Sequence, residues 1–379
     1  MPLSHGSYAI NGSPQAAAAY NSQTVFCLAA IDSGATANTS KSFSTLAALK
    51  ADSLPTDAQT AAAAVAFAAG VPEIICAVGE DAAGLGEAIK GIYSACHKKP
   101  NLIVMVDPST YSLANAGTIA GACENVIGKN SYDAMLYADI AWDVSWTAAD
   151  ATTAAAIASA ARAAAKHPKN LALHCGKITA DADGTDTVFG PALFHAIQQV
   201  AVDAQNGDIP FEGASNYELP GPVKSVQTAF SRDDGNTCNE AGVNVVIYDE
   251  GYRLWGDYLS SYDFAGTTPA DGIFIQHQRM LQYLRQGFVA QWKAVIDRGF
   301  TRQLRDTILA SEQAKLDRLA ARGALIGSPK IEFLAIDNPH SEVIQGHFVW
   351  RMAVSPALPL VSAELSVAYT DSGYAVLFE

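Results

Sequence analysis

The sequence contains few charged residues. Charged side chains make up 16% of its 379 residues, against about 25% in an average soluble protein. Acidic residues outnumber basic ones by 38 to 24, which gives a net charge of −14. Because Lys and Arg supply most non-specific affinity for nucleic acid, this balance argues against a nucleic-acid partner. The weakly charged surface indicates that other proteins cover part of it.

The sequence also has no recognisable membrane-spanning segment and no secretory leader. Its most apolar long window, residues 60–78, contains Pro72 and Glu73 and is rich in alanine, which favours a buried helix followed by a strand. The first residues, MPLSHGSYAINGSP, have neither a basic start nor an apolar core. The six cysteines include no CxxC pair, and we expect buried free thiols, which fits folding in a reducing cytoplasm. We therefore expect a soluble protein with no membrane insertion.

Familiar catalytic templates are absent as well. No GxxxxGK[ST] or GxSxG motif occurs, and the glycines of residues 79–86 do not form GxGxxG. His174 and Cys175 are adjacent soft ligands, but their place in an apolar run favours core packing. The sequence predicts no catalytic residue, no cofactor and no metal. The alternative interpretation is a soluble cytoplasmic α/β enzyme of unknown substrate, with a site near residues 79–86 and His174.

The first half of the chain alternates apolar strands with Ala-rich helices. The strand-like runs are apolar on both faces, and they are residues 25–31, 73–78, 101–106, 134–140 and 170–175. The helical stretches are residues 58–69, 84–97, 111–127, 148–167 and 191–204. This order predicts a mostly parallel sheet in an α/β layer.

A Pro- and Gly-rich passage at residues 208–223 marks a change of composition, and we place a boundary near it. Residues 231–242 look like a polar loop. The patterns that follow predict two strands, two helices and a β-rich end, at residues 243–248, 252–255, 281–295, 301–322, 330–336, 341–355 and 362–369. The second helix should end at Gly323, a residue type common just after a helix C-terminus.

Three segments of the second half together match the sequence pattern of one protein family. NEAGVNVVIYDEGYRLWGDYLS (residues 239–260) combines a strand with a Trp–Gly turn, and FIQHQRMLQYLRQGF (residues 274–288) is a helix with an Arg and aromatic pattern. GHFVWRMAVSPALPLVSAELSV (residues 346–367) ends in an apolar turn and a final arm. In these segments the chain resembles the tail sheath protein of contractile bacteriophages and bacteriocin-like particles (tailocins).

The resemblance covers about 140 residues, 239–378, and is only architectural over residues 25–223. It implies an α/β fold, α+β overall, with a variable outer α/β layer domain and a C-terminal sheath-type α/β domain with extended terminal arms. The implied division is 1–20 for a short N-terminal arm, 21–222 for the outer domain, 223–360 for the sheath domain and 361–379 for the C-terminal arm.

The same resemblance implies a structural role without catalysis. Sheath subunits polymerise as a helical cylinder of stacked hexameric rings around the tail tube, and contraction drives the tube through the target cell envelope. The implied partners are further copies of the chain through strand exchange, the tail tube protein, and the baseplate and tail terminator proteins. The implied location is the virion tail, with assembly in the bacterial host cytoplasm. A further alternative is a different tail component, such as a tube or baseplate protein. The α/β first half argues against a tube protein, which would be a compact β-barrel.

Two sets of residues are candidates for these contacts. A terminal strand without a later partner leaves an open edge that a neighbour's sheet can complete, and its candidate residues are Leu365, Val367, Tyr369, Val376 and Phe378. Residues 277–322 carry nine basic and four acidic residues, and we expect one helical face of this region, with Lys315, Arg318 and Arg322, to contact an acidic tube. The alternatives are a last strand paired within its own domain and an ordinary solvated helix face.

Overall fold

The computed structural model describes residues 24–35, 38–106, 113–124, 134–140, 151–163, 169–227, 229–266, 268–370 and 372–378. The predicted N-terminal arm, residues 1–20, lies outside them, as do the ends of two predicted helices, 111–127 and 148–167.

The apolar strands of the first half form one large sheet. Its strands are β1 (Phe26–Ile31), β2 (Thr39–Phe43), β3 (Ile74–Gly79), β4 (Leu102–Met105), β5 (Met135–Asp139), β6 (Leu171–His174), β10 (Val243–Tyr248) and β11 (Tyr252–Trp255). In the described residues their order is β11-β10-β6-β5-β4-β1-β3-β2. The six inner strands are parallel, and β2 and β11 pair antiparallel at the two edges. The predicted, mostly parallel sheet is confirmed.

Helices cover both faces of this sheet, because successive strand residues are apolar on alternating sides. The helices are α1 (Leu46–Lys50), α2 (Asp57–Ala68), α3 (Ala82–Cys96), α4 (Leu113–Glu124), α5 (Ala151–Ala163) and α6 (Pro191–Gln205). Ile75 packs into the core on one face with α3, α4 and α5, whereas its neighbour Ile74 packs into the core on the other face with α2 and α6. No helix in the part of the chain that the structure describes is long and apolar enough to cross a membrane.

A small antiparallel sheet between β6 and β10 in the chain was not predicted. It contains β7 (Ile178–Ala182), β8 (Thr185–Phe189) and β9 (Val223–Val226) in the order β8-β7-β9. Asp183 and Gly184 both adopt positive φ at the β7–β8 turn, and Asp–Gly is the sequence signal of such a hairpin.

A second unpredicted element is α7 (Arg232–Asn239), where a polar loop was expected. Its start is fixed by Ser231, whose hydroxyl accepts a hydrogen bond from the Asp234 N–H at 3.2 Å. The helix therefore rests on capping and not on an apolar stripe.

The second half adds two long helices, α8 (Ile275–Trp292) and α9 (Arg302–Ala321). Their buried contact includes Met280 and Leu284 of α8 and Leu316 of α9. The end of α9 before Gly323 agrees with the prediction. The predicted helix at residues 281–295 begins earlier and ends at Trp292, because residues 293–295 form a 3-10 turn.

The predicted β-rich end of the chain is largely wrong. Among the described residues of this region only β12 (Lys330–Glu332) and β13 (Arg351–Ala353) form strands, and α10 (His340–Val343) overlaps the start of the predicted strand 341–355. Residues 362–369 contain no strand, and Ser372–Phe378 form a 3-10 helix. An alternating pattern makes a strand only where a partner supplies hydrogen bonds, and this segment has none among the described residues.

The large sheet continues past the boundary predicted near residue 222. Strands β10 and β11 follow that point in the chain, and β10 pairs with β6 of the first half. The division into an outer domain and a sheath domain stays a prediction.

Candidate subunit interface

The chain leaves the folded body after Ala357. The Ala357 N–H donates to the Ala324 carbonyl at 3.1 Å, and residues 358–370 then run without helix or strand. We call residues 358–378 the terminal segment. Leu360 and Leu365 are each 84% exposed. A contiguous set of exposed apolar side chains of this kind marks an interaction surface.

The predicted arm residues lie on this segment. Leu365, Val367, Tyr369 and Val376 are all exposed, and the side chain of Phe378 lies outside the described residues. Exposure leaves these side chains available to a neighbour, and their pairing with one stays a prediction.

A possible acceptor for such a segment is the small sheet of β12 and β13. The two strands pair antiparallel, with Ile331 opposite Met352, and no third strand joins them in the part of the chain described here. A two-stranded sheet is marginal by itself. The outer edge of β12 is occupied by α9, because the Ile331 N–H donates to Gln313 Oε1 at 3.3 Å. The outer edge of β13 is therefore the one that can accept a further strand.

Aromatic residues surround this sheet. We call Phe300, Phe333, Phe348 and Trp350 the aromatic cluster. The Phe300 and Phe348 rings stack with centroids 3.8 Å apart, and the Phe333 and Trp350 centroids are 5.4 Å apart. All four side chains are only half-buried. The cluster gives the sheet a rigid apolar border that apolar side chains of a neighbour can cover.

The three predicted tube-facing residues differ in how far their side chains are exposed. Arg318 and Arg322 are exposed on α9, whereas the Lys315 side chain is only 17% exposed, with Nζ 3.6 Å from Glu312 Oε2. Glu312 is fully buried and also accepts a hydrogen bond from Trp292 Nε1 at 2.7 Å. A buried carboxylate needs a compensating cation, and Lys315 supplies it. The exposed basic face is therefore formed by Arg318 and Arg322.

The glycine-rich loop of the enzyme interpretation is closely packed. Asp81 Oδ1 accepts a hydrogen bond from the Gly84 N–H at 2.7 Å and so caps α3. A Cβ atom added at Gly79 would lie 2.0 Å from the Leu85 backbone nitrogen. The loop thus lies directly against the helix start, and a protein carboxylate takes the place where a dinucleotide phosphate would bind.

The carboxyl end of β5 is closed in the same way. Asp139 Oδ1 accepts a hydrogen bond from the Ala192 N–H, at the start of α6, at 3.0 Å. A Cβ atom added at Gly190 would lie 2.0 Å from Asp139 Cγ. Burial raises the pKa of Asp139 to about 7. Open α/β sheets bind ligands at the carboxyl ends of their strands, and here the protein's own side chain fills that position.

His174, the other residue of the enzyme interpretation, is in the core. Its Nε2 lies 2.7 Å from Nδ1 of His195, whose own Nε2 is 3.7 Å from Asp257 Oδ1. Burial lowers the pKa of both imidazoles and raises that of Asp257 to about 7. The described residues contain no group of three or more His, Cys, Asp or Glu placed to hold a metal. The predicted packing role of His174 agrees with this burial.

A groove of about 970 Å³ separates the start of the terminal segment from the body of the protein. Its lining includes Trp255, Tyr258 and Phe274 on one side and residues 357–363 on the other. The groove adjoins the root of the terminal segment, away from His174 and the loop at residues 79–86, neither of which lines it.

Sequence comparison finds two informative relatives. The chain is 28% identical over 160 residues to the major tail sheath protein of Serratia phage KSP20, an alignment that covers 42% of this chain and 39% of the relative. It is 26% identical over 164 residues to a prophage protein of Pseudomonas aeruginosa (strain UCBPP-PA14), also described as a major tail sheath protein, over 41% of this chain and 40% of that protein. The matches thus span about two fifths of the curated relatives' length. No protein-family model matches the chain.

Solved structures match nearly the whole chain. A chain of the anti-feeding prophage baseplate superposes with a TM-score of 0.71 at 16% identity, covering 98% of this chain and 100% of that one. A chain of the helical sheath of the same particle in its contracted state gives 0.67 at 15% identity, covering 98% and 100%. At these identities the likeness shows the fold, and the fold is that of contractile sheath proteins.

The sequence did not reveal the acceptor side of this candidate interface. Phe300, Phe333, Phe348 and Trp350 lie on separate segments, and nothing in their spacing brings them together. The one available signal was the concentration of aromatic residues in residues 333–350, next to short alternating runs.

Proposed function

We propose that this chain, which has the fold of contractile sheath proteins, is a structural subunit of a contractile tail sheath. The observation that carries the proposal is the match over nearly the whole chain to chains of a contractile particle's baseplate and contracted helical sheath, together with relatives named as major tail sheath proteins. A terminal segment rich in exposed apolar side chains supports it independently.

In the proposed polymer, each copy lends its terminal segment to a neighbour. Residues 358–370, which run without helix or strand, would add to the open edge of the neighbour's β12–β13 sheet, where their backbone N–H and C=O groups would gain strand partners; residues 372–378 would follow as the 3-10 helix. Leu365, Val367, Tyr369, Val376 and Phe378 would supply the apolar side chains for this contact, which the aromatic cluster borders. Stacked hexameric rings and a helical cylinder are the arrangement that we propose for the assembled copies.

The proposed partner inside the cylinder is the tail tube. Arg318 and Arg322 form an exposed basic face on a protein whose net charge is −14, and such a face suits an acidic surface. Lys315 lies on the same helical face, but its ammonium pairs with the buried Glu312 and adds little to the exposed charge. The baseplate and the tail terminator are the partners proposed at the two ends, in a virion tail assembled in the host cytoplasm.

We propose that the work of this protein is mechanical and not catalytic. Contraction would be a rigid-body rotation of subunits, connected by their arms, from a metastable extended state to a more stable compact state. The energy would come from additional surface buried between subunits, without a nucleotide. The closely packed glycine loop at residues 79–86 and the buried His174 are consistent with this role.

Deletion of residues 361–379 tests the proposal. We expect a folded, soluble subunit that no longer forms cylinders in electron micrographs, because the deleted residues make no strand in their own subunit. A control variant, Val188→Ser on β8, should polymerise as the full chain does. Normal cylinders from the truncated chain would contradict exchange of this arm, and a full chain that never polymerises would contradict the sheath function.

A further inference from the structure

The first turn of α8 carries four consecutive polar side chains that are all buried. Gln276, His277, Gln278 and Arg279 are each less than a tenth exposed. Such side chains are normally at the surface, and a buried polar side chain is retained where it finds a hydrogen-bond partner. The partners of these four residues show what the start of this helix holds in place.

Two of the four hold the root of the terminal segment. Gln276 Nε2 donates to the Ala357 carbonyl oxygen at 3.2 Å, and His277 Nε2 lies 3.2 Å from the same oxygen. The Ala357 N–H is bound by Ala324 on its other side. The last residue before the terminal segment is thus fixed from both sides, although the segment beyond it is exposed.

Arg279 binds the residue that holds Thr24, the first of the described residues. Its guanidinium pairs with the Asp203 carboxylate through two hydrogen bonds, Nη1 to Oδ1 at 2.8 Å among them, and both side chains are buried. The Thr24 hydroxyl donates to Oδ2 of the same Asp203 at 2.8 Å. Thr24 lies just before β1, four residues after the predicted N-terminal arm.

The helix start is itself bound to the body of the protein. The Ile275 N–H donates to the Asp257 carbonyl at 2.9 Å, and Gln278 donates to the Asp271 carbonyl. The Asp257 side chain lies 3.7 Å from His195 of α6. The start of α8 is therefore a rigid point and not an isolated helix end.

We propose that the start of α8, residues 275–279, is a common anchor that positions both terminal arms. Gln276 and Arg279 are three residues apart, so that their side chains project from the same turn about 5–6 Å from each other. One helical turn thus binds both Ala357, at the root of the terminal segment, and Asp203, which accepts a hydrogen bond from Thr24. This inference rests on the proposed function for its purpose: arms that connect a subunit to its neighbours would transmit force to one helix, and the large sheet of β1–β6, β10 and β11 would rotate with it as a rigid body.

Hydrogen exchange on the isolated subunit tests the anchor, with the double variant Gln276→Leu/His277→Leu. We expect exchange of the peptide around residues 350–358 to rise about fivefold for each hydrogen bond lost. Because the same helix turn also holds Asp203 through Arg279, exchange at residues 24–31 should rise at least about twofold. Thr24→Val should raise exchange at residues 24–31 alone. The control is Gln345→Leu, which removes the hydrogen bond from this amide, just after α10, to the Ser341 carbonyl and should change neither region.

An increase confined to residues 350–358 in the double variant would show two independent attachments and overturn the common anchor, as would no increase in either region. If the double variant does not fold, Gln276→Leu alone is judged by the same criterion. The measurement needs no polymer. If the wild-type chain does not polymerise, the proposed function is wrong, and the exchange measurement still decides the anchor. If the wild-type chain polymerises but the two regions respond independently, only the common anchor is wrong.

Discussion

The sharpest prediction concerns two exposed side chains of the terminal segment. Leu365 is 84% and Val367 80% exposed, so Leu365→Ser/Val367→Ser removes apolar surface that the isolated subunit does not bury. We expect its free energy of unfolding to stay within about 0.5 kcal/mol of the wild-type value. Assembly should respond differently, because the proposed exchange buries both side chains against a neighbour.

The size of that response follows from the buried surface. Complete burial of a Leu or Val side chain contributes about 1.5–3 kcal/mol, or about 3–6 kcal/mol for the pair. Protein interfaces realise only part of this, because association also costs side-chain entropy. A loss of about 2–3 kcal/mol per contact would raise the critical concentration for cylinder formation about 30- to 150-fold.

Sedimentation over a range of subunit concentrations, with electron microscopy of the pellets, measures this quantity. Thermal unfolding of the soluble fraction checks that the fold is intact. Val188→Ser, which removes a half-exposed apolar side chain from β8, is the matched control and should leave the critical concentration unchanged. An unchanged critical concentration for the double variant would refute the reasoning, since these side chains would then stay in water in the polymer.

Three further predictions follow from the body of the protein. Gly190→Ala should destabilise the fold by about 2–5 kcal/mol in denaturant titration, because the new methyl displaces the Asp139 carboxyl from α6, whereas Gly91→Ala, in an open position on α3, should stabilise it by about 0.5–1 kcal/mol. Burial raises the pKa of Asp139 to about 7, so the native state favours the protonated carboxyl. The free energy of unfolding should therefore fall between pH 4 and 7, as this carboxyl is forced to ionise. Asp139→Asn should remove that part of the pH dependence, and an identical pH profile for the variant would contradict the reasoning. Arg318→Glu/Arg322→Glu should weaken co-sedimentation with tail tubes at low salt while leaving cylinder formation intact, and unchanged co-sedimentation would reject the basic face as the tube contact.

The parallel sheet could be predicted because the apolar pattern that specifies it lies within each strand. Strand residues such as Ile74 and Ile75 are both apolar, and burial on both faces requires that pattern. The β7–β8 hairpin and α7 were missed although Asp183–Gly184 and Ser231 carried their signals. In both cases turn and capping chemistry, and not hydrophobic periodicity, determines the element.

The site was harder to predict, since its partners are distant in sequence. The QHQR run at the start of α8 looks like a solvated helix face, and only the fold brings Asp203 and Ala357 to it. Lys315 likewise shares a helical face with Arg318, but the buried Glu312 draws its ammonium away from solvent. The predicted strand at residues 362–369 is wrong for a different reason: among the described residues no strand pairs with this segment, and in the proposed polymer a second molecule would have to complete it.

The open edge of the β12–β13 sheet has a consequence for the length of any polymer built from it. Each copy would carry both a donor and an acceptor, so every addition would recreate the end that it has just occupied. Growth of this kind has no internal stopping point. The final length of such a cylinder would have to be set by another component, either one that extends alongside it or one that caps its far end.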